Sequence, residues 1–292
     1  MKRALYVLII FSVSISSYCQ VSGIIHDVHS MKTIPYANIA VYNSSDGTSS
    51  NQDGGFYLAN VSYGDTIVIS AVGYEKTFHR LKKDSFILYL TPKHYQIPEL
   101  EVAYNSTSSV RLIEPFKKKS ATAYYVCYSS PWMNGRVFNY KSEYSQTPFI
   151  KEIHVLTKSR IDGAKFNLRL MSVSNSGTPD EDLLTENLIV KVPKGTNKSS
   201  IDISRYKLQF PRSGICIALE WLTIDENIYY SRRKSSGSAM TKKSRIEPKF
   251  AVLELNEKSN SWTYLGGKWH NNSELGGPTS KFDLALEIVL TK

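Results

Sequence analysis

Trp262 and Trp269 stand seven residues apart in the run Ser261-Trp262-Thr263-Tyr264-Leu265-Gly266-Gly267-Lys268-Trp269-His270. Aromatic faces offer apolar contact to a sugar ring. His270 and Asn271 add groups that hydrogen-bond hydroxyls, the mixture a polar-ligand site needs. Gly266 and Gly267 suit a tight hairpin turn that would bring the two arms together. The ligand-binding candidates are therefore Trp262, Trp269 and His270, with a glycan as the ligand class. The competing account is that one or both rings close the end of a β core, where large aromatic side chains also serve. Trp132 raises the same alternatives, and all three tryptophans sit in runs that read as loops.

Catalytic chemistry has a weaker footing. The chain carries no G-x-S-x-G elbow, no H-E-x-x-H, no phosphate loop and no G-x-G-x-x-G. His26 and His29 read H-D-V-H without a suitable acid nearby. Zinc needs convergent ligands, and strand residues three apart face opposite sides. No catalytic residue, no metal site and no cofactor is expected. Asp180, Glu181 and Asp182 cluster beside Gly177 and Pro179, but their spacing matches no calcium-ligand rule, so a solvated turn is expected. Asp46, Asn51 and Asp53 read as turn chemistry. Glu220 alternates with the apolar face of its run and reads as a solvent-side or sheet-edge carboxylate. A lone carboxylate is not a glycosidase pair. The alternative is a cryptic hydrolase with its carboxylates in the second half of the chain.

The elements that must carry these residues are strands. From Gln20 to Ala103, Ala37, Ile39 and Val41 alternate with Asn38 and Ala40, and Phe86, Leu88 and Leu90 alternate with Ile87 and Tyr89. Asp46-Gly47 and Asp53-Gly54-Gly55 supply turns. This reads as a small antiparallel sandwich. From residue 108 to 292 the pattern resumes in Phe166-Leu168-Leu170, Ile215-Ile217-Leu219-Trp221 and Leu284-Leu286-Ile288-Leu290. Each run has one strongly apolar face. Roughly eight strands in two sheets are expected there, in a jelly-roll-like sandwich. Asn105 to Ser109 form a polar joint. The fold class is all-β.

Val21, Gly23, Asp27, Pro35, Ala37, Asn38, Ile39, Val41, Asp53, Gly54, Phe56, Gly64, Asp65, Ser70, Gly73 and Tyr74 carry a resemblance. Their order and spacing are similar to the carboxypeptidase regulatory-like domain family, in the version common in envelope proteins of Bacteroidetes. The resemblance implies a transthyretin-like β-sandwich and an accessory module without catalytic residues. The run 162–192, followed by 203–222, resembles a β-rich domain often fused behind that module.

Lys2 and Arg3, the apolar run Ala4 to Val13 and the small polar Ser14 to Ser17 have the form of a secretory signal peptide. The run is about ten residues, half of the ~20 a spanning helix needs. Residues 1–19 are read as the signal, with Ser17 and Cys19 at the cleavage site. The rival is acylation of Cys19, against which Tyr18 stands. No other segment reaches spanning length. Of the remaining cysteines, Cys127 and Cys216 suit either a disulfide of an exported chain or two buried small hydrophobes. The net charge is +10, spread over separate runs such as Lys117-Lys118-Lys119 and Arg232-Arg233-Lys234 that read as solvated loops. No nucleic-acid recognition motif accompanies it. The expectation is an exported, non-catalytic protein of the periplasm, outer-membrane surface or medium, binding a glycan or an envelope protein.

Overall fold

The computed structural model describes residues 19–82, 85–93, 109–128, 130, 132–233, 241–255, 259–275 and 278–292. Residues 1–18, most of the expected signal segment, and most of the polar joint lie outside them. Among these residues twenty-two strands follow in chain order. The first sandwich holds β1 (Cys19–Asp27), β2 (Asn38–Val41), β3 (Gly47–Ser49), β4 (Gly55–Val61), β5 (Thr66–Ser70), β6 (Thr77–Arg80) and β7 (Ser85–Leu90). The second holds β8 (Val110–Ile113), β9 (Ala123–Cys127), β10 (Met133–Phe138), β11 (Phe149–Ser159), β12 (Ala164–Val173), β13 (Pro179–Asp182), β14 (Ile189–Val192) and β15 (Gly195–Asp202). It continues with β16 (Ile215–Trp221), β17 (Ile228–Arg233), β18 (Thr241–Glu254), β19 (Ser261–Leu265), β20 (Lys268–Asn271), β21 (Phe282–Leu284) and β22 (Leu286–Thr291).

These strands form four sheets. Sheet I is β4-β1-β7, and sheet II is β3-β2-β5-β6. Sheet III has seven strands along β13-β12-β16-β10-β19-β20, and sheet IV has eight along β17-β18-β11-β22-β8. The second sandwich thus holds fifteen strands where the sequence suggested roughly eight. Its short strands, such as β13 and β21, carry too few alternations to register as periodic. The first sandwich is not wholly antiparallel, because β1 and β7 pair in parallel.

Two cores follow from strand alternation. Val21, Ile25, Leu58 and Leu88 of sheet I meet Ile39 and Ile69 of sheet II. Phe166, Leu168, Ile217 and Trp221 of sheet III meet Phe250 and Ile288 of sheet IV. Trp221 stacks on Phe250 at 4.2 Å between centroids, and its indole N–H donates to Pro248 O at 2.6 Å.

The alternation also exposes a second layer of packing. All four residues of β2 are buried, as are all seven of β16 and all six of β10. A strand covered on one side only would bury every second residue. The inner strands of sheets II and III are therefore covered on both faces: one by their own core, the other by the facing sheet and, over β10 and β16, by Trp262 and Trp269. The layers run I, II, III, IV.

Candidate functional site

The junction between sheets II and III is where the chemistry-bearing residues gather. Register places Asn167 opposite Glu220 and Glu220 opposite Met133, on the face turned toward the first sandwich. Asn38 of β2 donates its Nδ2 to Glu220 Oε1 at 3.1 Å. Asn167 Nδ2 reaches Glu220 Oε2 at 3.1 Å. Arg169 grips Asp182 with two bonds, Nε to Oδ1 at 2.8 Å and Nη2 to Oδ2 at 2.5 Å. Its Nη1 lies 3.6 Å from Glu220 Oε2. Burial pushes the Glu220 carboxyl above its ordinary value, although Arg169 and the two amides pull it down. Burial works against the Arg169 charge, but Asp182 and Glu220 outweigh it and raise its pKa.

This corrects two expectations. Glu220 is 2 % exposed, not a solvent-side carboxylate, because the face opposite the core carries a second sandwich. Asp180 to Asp182 are part of strand β13 rather than a solvated turn, and Asp182 is buried against Arg169. Arg169, Asn38 and Asn167 escaped notice as site residues. The signal lay in β16, where Cys216 and Ala218 alternate with Ile217 and Leu219, so that both faces are apolar or small.

Two further contacts fix the junction. The turn between β19 and β20 has positive φ at Gly266 and Gly267, 59° and 84°, as a two-residue hairpin requires. It abuts the first sandwich: a Cβ on Gly266 would lie 2.8 Å from Ser44 O, and one on Gly267 2.9 Å from Val68 Cγ2. Asn43 N donates to Gly266 O at 3.1 Å, and Lys268 Nζ sits 4.8 Å from the Tyr42 ring centroid. On the other contact, Val72 leaves the first sandwich to join the core cluster that includes Leu184. A Cβ on Gly73 would overlap Thr185 O.

Trp262 and Trp269 lie in strands, not loops. Cross-strand pairing sets Trp262 against Asn271 and Trp269 against Tyr264, so all four share one face. Both indoles are half-buried over Val137, Met171, Cys216 and Ala218, and Trp269 meets Tyr264 edge-on at 5.2 Å. His270 pairs with Thr263 and belongs to the opposite face. The structure brings the two tryptophans together with Asn271 and leaves His270 behind them.

Trp269 also walls a cleft of about 60 Å³ between the sandwiches. Ser70, Tyr74 and Lys76 line it from one side, and Arg169 and Asp180 from the other. Burial, with Arg169 and Lys93 nearby, holds the Lys76 ammonium below its ordinary pKa. Burial pushes the Tyr264 hydroxyl up to about 12. Lys93 pairs with Glu181 at 3.1 Å across the junction.

On the outer face of sheet IV, two carboxylates converge on His154. Its Nδ1 is 2.6 Å from Glu287 Oε1 and its Nε2 is 3.1 Å from Glu152 Oε2. Ser200 donates to Glu152 Oε2 at 2.7 Å. A serine nucleophile needs a ring nitrogen to take its proton. Here both nitrogens face carboxylates and the hydroxyl points at Glu152, so the group acts as an ion network. Among the described residues no group of three or more His, Cys, Asp or Glu is placed to hold a metal, and no helix is long and apolar enough to cross a membrane. Cys127 and Cys216 are thiols in different sheets, not a disulfide. Burial pushes the Cys216 thiol far above its ordinary range.

No curated protein matches the chain. Among solved structures it is similar to the clostridial cysteine protease Cwp84 after propeptide cleavage, at 11 % identity and a TM-score of 0.40, over 84 % of this chain and 50 % of that one. A second likeness, at 10 % identity and a TM-score of 0.39, is to the cysteine protease and lectin-like domains of Cwp84, a surface layer associated protein of Clostridium difficile. It covers 84 % of this chain and 45 % of that one. A third, at 10 % identity and a TM-score of 0.25, is to the infectious bursal disease virus Gx strain structure, over 94 % of this chain and 60 % of that one. The chain thus spans about half the length of the first solved protein it matches. Residues 21–100 match the family model of the CarboxypepD_reg-like domain, which takes in the first sandwich from Val21 through β7.

Proposed function

We propose that the chain is an exported, non-catalytic binding protein of the cell envelope, and that it takes a glycan on the Trp262–Trp269 shelf. The observation that carries this reading is the arrangement on one face of β19 and β20. Two half-buried indoles lie on the same face as Asn271, and Trp269 opens onto the cleft that holds Ser70, Tyr74 and Lys76. The rings supply apolar contact, while the amide, hydroxyls and ammonium supply polar anchors, as in sites for polar small molecules. The match of the first sandwich to a regulatory-like domain supports an accessory rather than a catalytic role. The export part of the reading rests on the basic start and short apolar run of residues 1–19.

A glycan array probed with the full mature chain tests the reading. Retention of a defined glycan is expected, and Trp269→Ala should abolish it. Because Trp269 is only partly buried, that substitution should cost about 1–2 kcal/mol of stability, leaving the fold intact by circular dichroism. Retention unchanged in a folded Trp269→Ala protein, or no retention by the wild type, contradicts the reading.

A further inference from the structure

A second and larger concavity shares no lining residue with the Trp269 cleft. It is a groove of about 920 Å³ between the first sandwich and the segment 223–228 of the second. Its lining carries four carboxylates, Asp46, Asp53, Asp225 and Glu226, and no Lys, Arg or His. That is a sharp local inversion in a chain with 36 basic and 26 acidic residues. Asp46 accepts from the Ser44 hydroxyl at 2.8 Å, and Glu226 stands 3.6 Å from Lys165. The Asp53 and Asp225 carboxylates are exposed and have no ion-pair partner among the described residues.

The groove also runs along unpaired strand edges. β3 ends sheet II and β4 ends sheet I, and both contribute to the lining, β3 through Gly47 to Ser49 and β4 through Gly55 to Tyr57. Among the described residues each is hydrogen-bonded to a neighbouring strand on one side only. An open edge offers a row of backbone donors and acceptors to any extended chain laid beside it. Tyr57 is 52 % exposed and presents an aromatic face where a cation could rest. Thr223 is also in the lining; its hydroxyl is shielded from solvent and has no hydrogen-bond partner among the described residues.

We propose that this groove receives an extended peptide segment bearing lysine or arginine, paired through its backbone with the open edge of β4. Main-chain pairing supplies the affinity in strand addition, and side-chain placement supplies the selection. Alternate side chains of an added strand point to one face, so every second residue can be a cation set among Asp53, Asp225, Asp46 and Glu226. The carboxylate charge rejects an acidic strand. The proposal is independent of the glycan shelf, which lies elsewhere on the junction.

The test uses the full chain and three probes: a nine-residue peptide alternating lysine and valine, the same peptide with glutamate for lysine, and spermidine. Titration calorimetry at low salt should detect the lysine peptide and not the glutamate peptide. Affinity should fall as salt rises, and Asp53→Asn with Asp225→Asn should weaken it about tenfold or more. Both positions are exposed, so the variant should fold. Hydrogen exchange on the complex should slow at the β4 amides. Equal binding of both peptides, unaltered affinity in the double variant, or binding by spermidine alone without β4 protection would each overturn the proposal.

Discussion

At the residue scale, the decisive group is the buried strip of Asn38, Asn167, Arg169, Asp182 and Glu220. Its single cation, Arg169, faces both carboxylates, and the two amides hydrogen-bond Glu220, so removing one member should cost more than removing the contact alone. Arg169→Met leaves Glu220 and Asp182 buried without a cation. We expect a loss of about 3–5 kcal/mol, read as a shift in the urea midpoint at unchanged slope. A loss under about 1 kcal/mol, the range of exposed pairs, would mean that water reaches the strip. The His154 network makes a pH-dependent prediction. Burial would raise the Glu287 carboxyl, but Lys198 and His154 outweigh it and hold it below its ordinary value of 4.5. The unfolded chain therefore binds the extra proton first as pH falls. The stabilisation is complete above the ordinary value and is lost as pH drops through the lowered one. Urea midpoints measured from about pH 7 to 3 should fall less steeply for Glu287→Gln than for the wild type. Parallel curves would remove Glu287 from the account.

At the element scale, the β19–β20 hairpin carries the junction. The pair of glycines announced it in the sequence, because only residues tolerant of positive φ make a two-residue turn of this hand. The reason for two glycines was not legible there: Ser44 and Val68 come from about two hundred residues earlier. Gly267→Val adds a branched side chain at φ 84° directly against Val68. We expect a loss of about 2 kcal/mol or more, combining the strained backbone with the clash. The second sandwich should keep its own circular-dichroism signal. A loss matching that of Gly177→Val, a positive-φ glycine with open space around it, would show that the hairpin does not carry the contact. Other elements follow the same division. The core faces of β12, β16 and β22 were legible because one face is strongly apolar. The second face of β16 was not, since Glu220 among small residues reads as a solvent side until another sheet is known to cover it. Trp262 and Trp269 were legible as a pair, while the separation of His270 from them needed the strand alternation of β20. Export and lipidation turn on residues 1–19, where compositional form is the only guide.

At the scale of the whole molecule, the account holds that four sheets stack as one body. Strand β2 of sheet II and strands β10 and β16 of sheet III are buried on both faces, Val72 of the first sandwich sits in the second core, and both concavities draw walls from each sandwich. Two independent domains on a joint would lose both clefts whenever they parted. The most direct measurement is differential scanning calorimetry of the chain from Gln20 to Lys292. A single transition, with the calorimetric enthalpy equal to the van't Hoff enthalpy, is the predicted result. It should become two transitions in Gly267→Val if that variant undocks the sandwiches. Two well-separated transitions in the wild type would contradict the account, because each sandwich would then unfold without regard to the other.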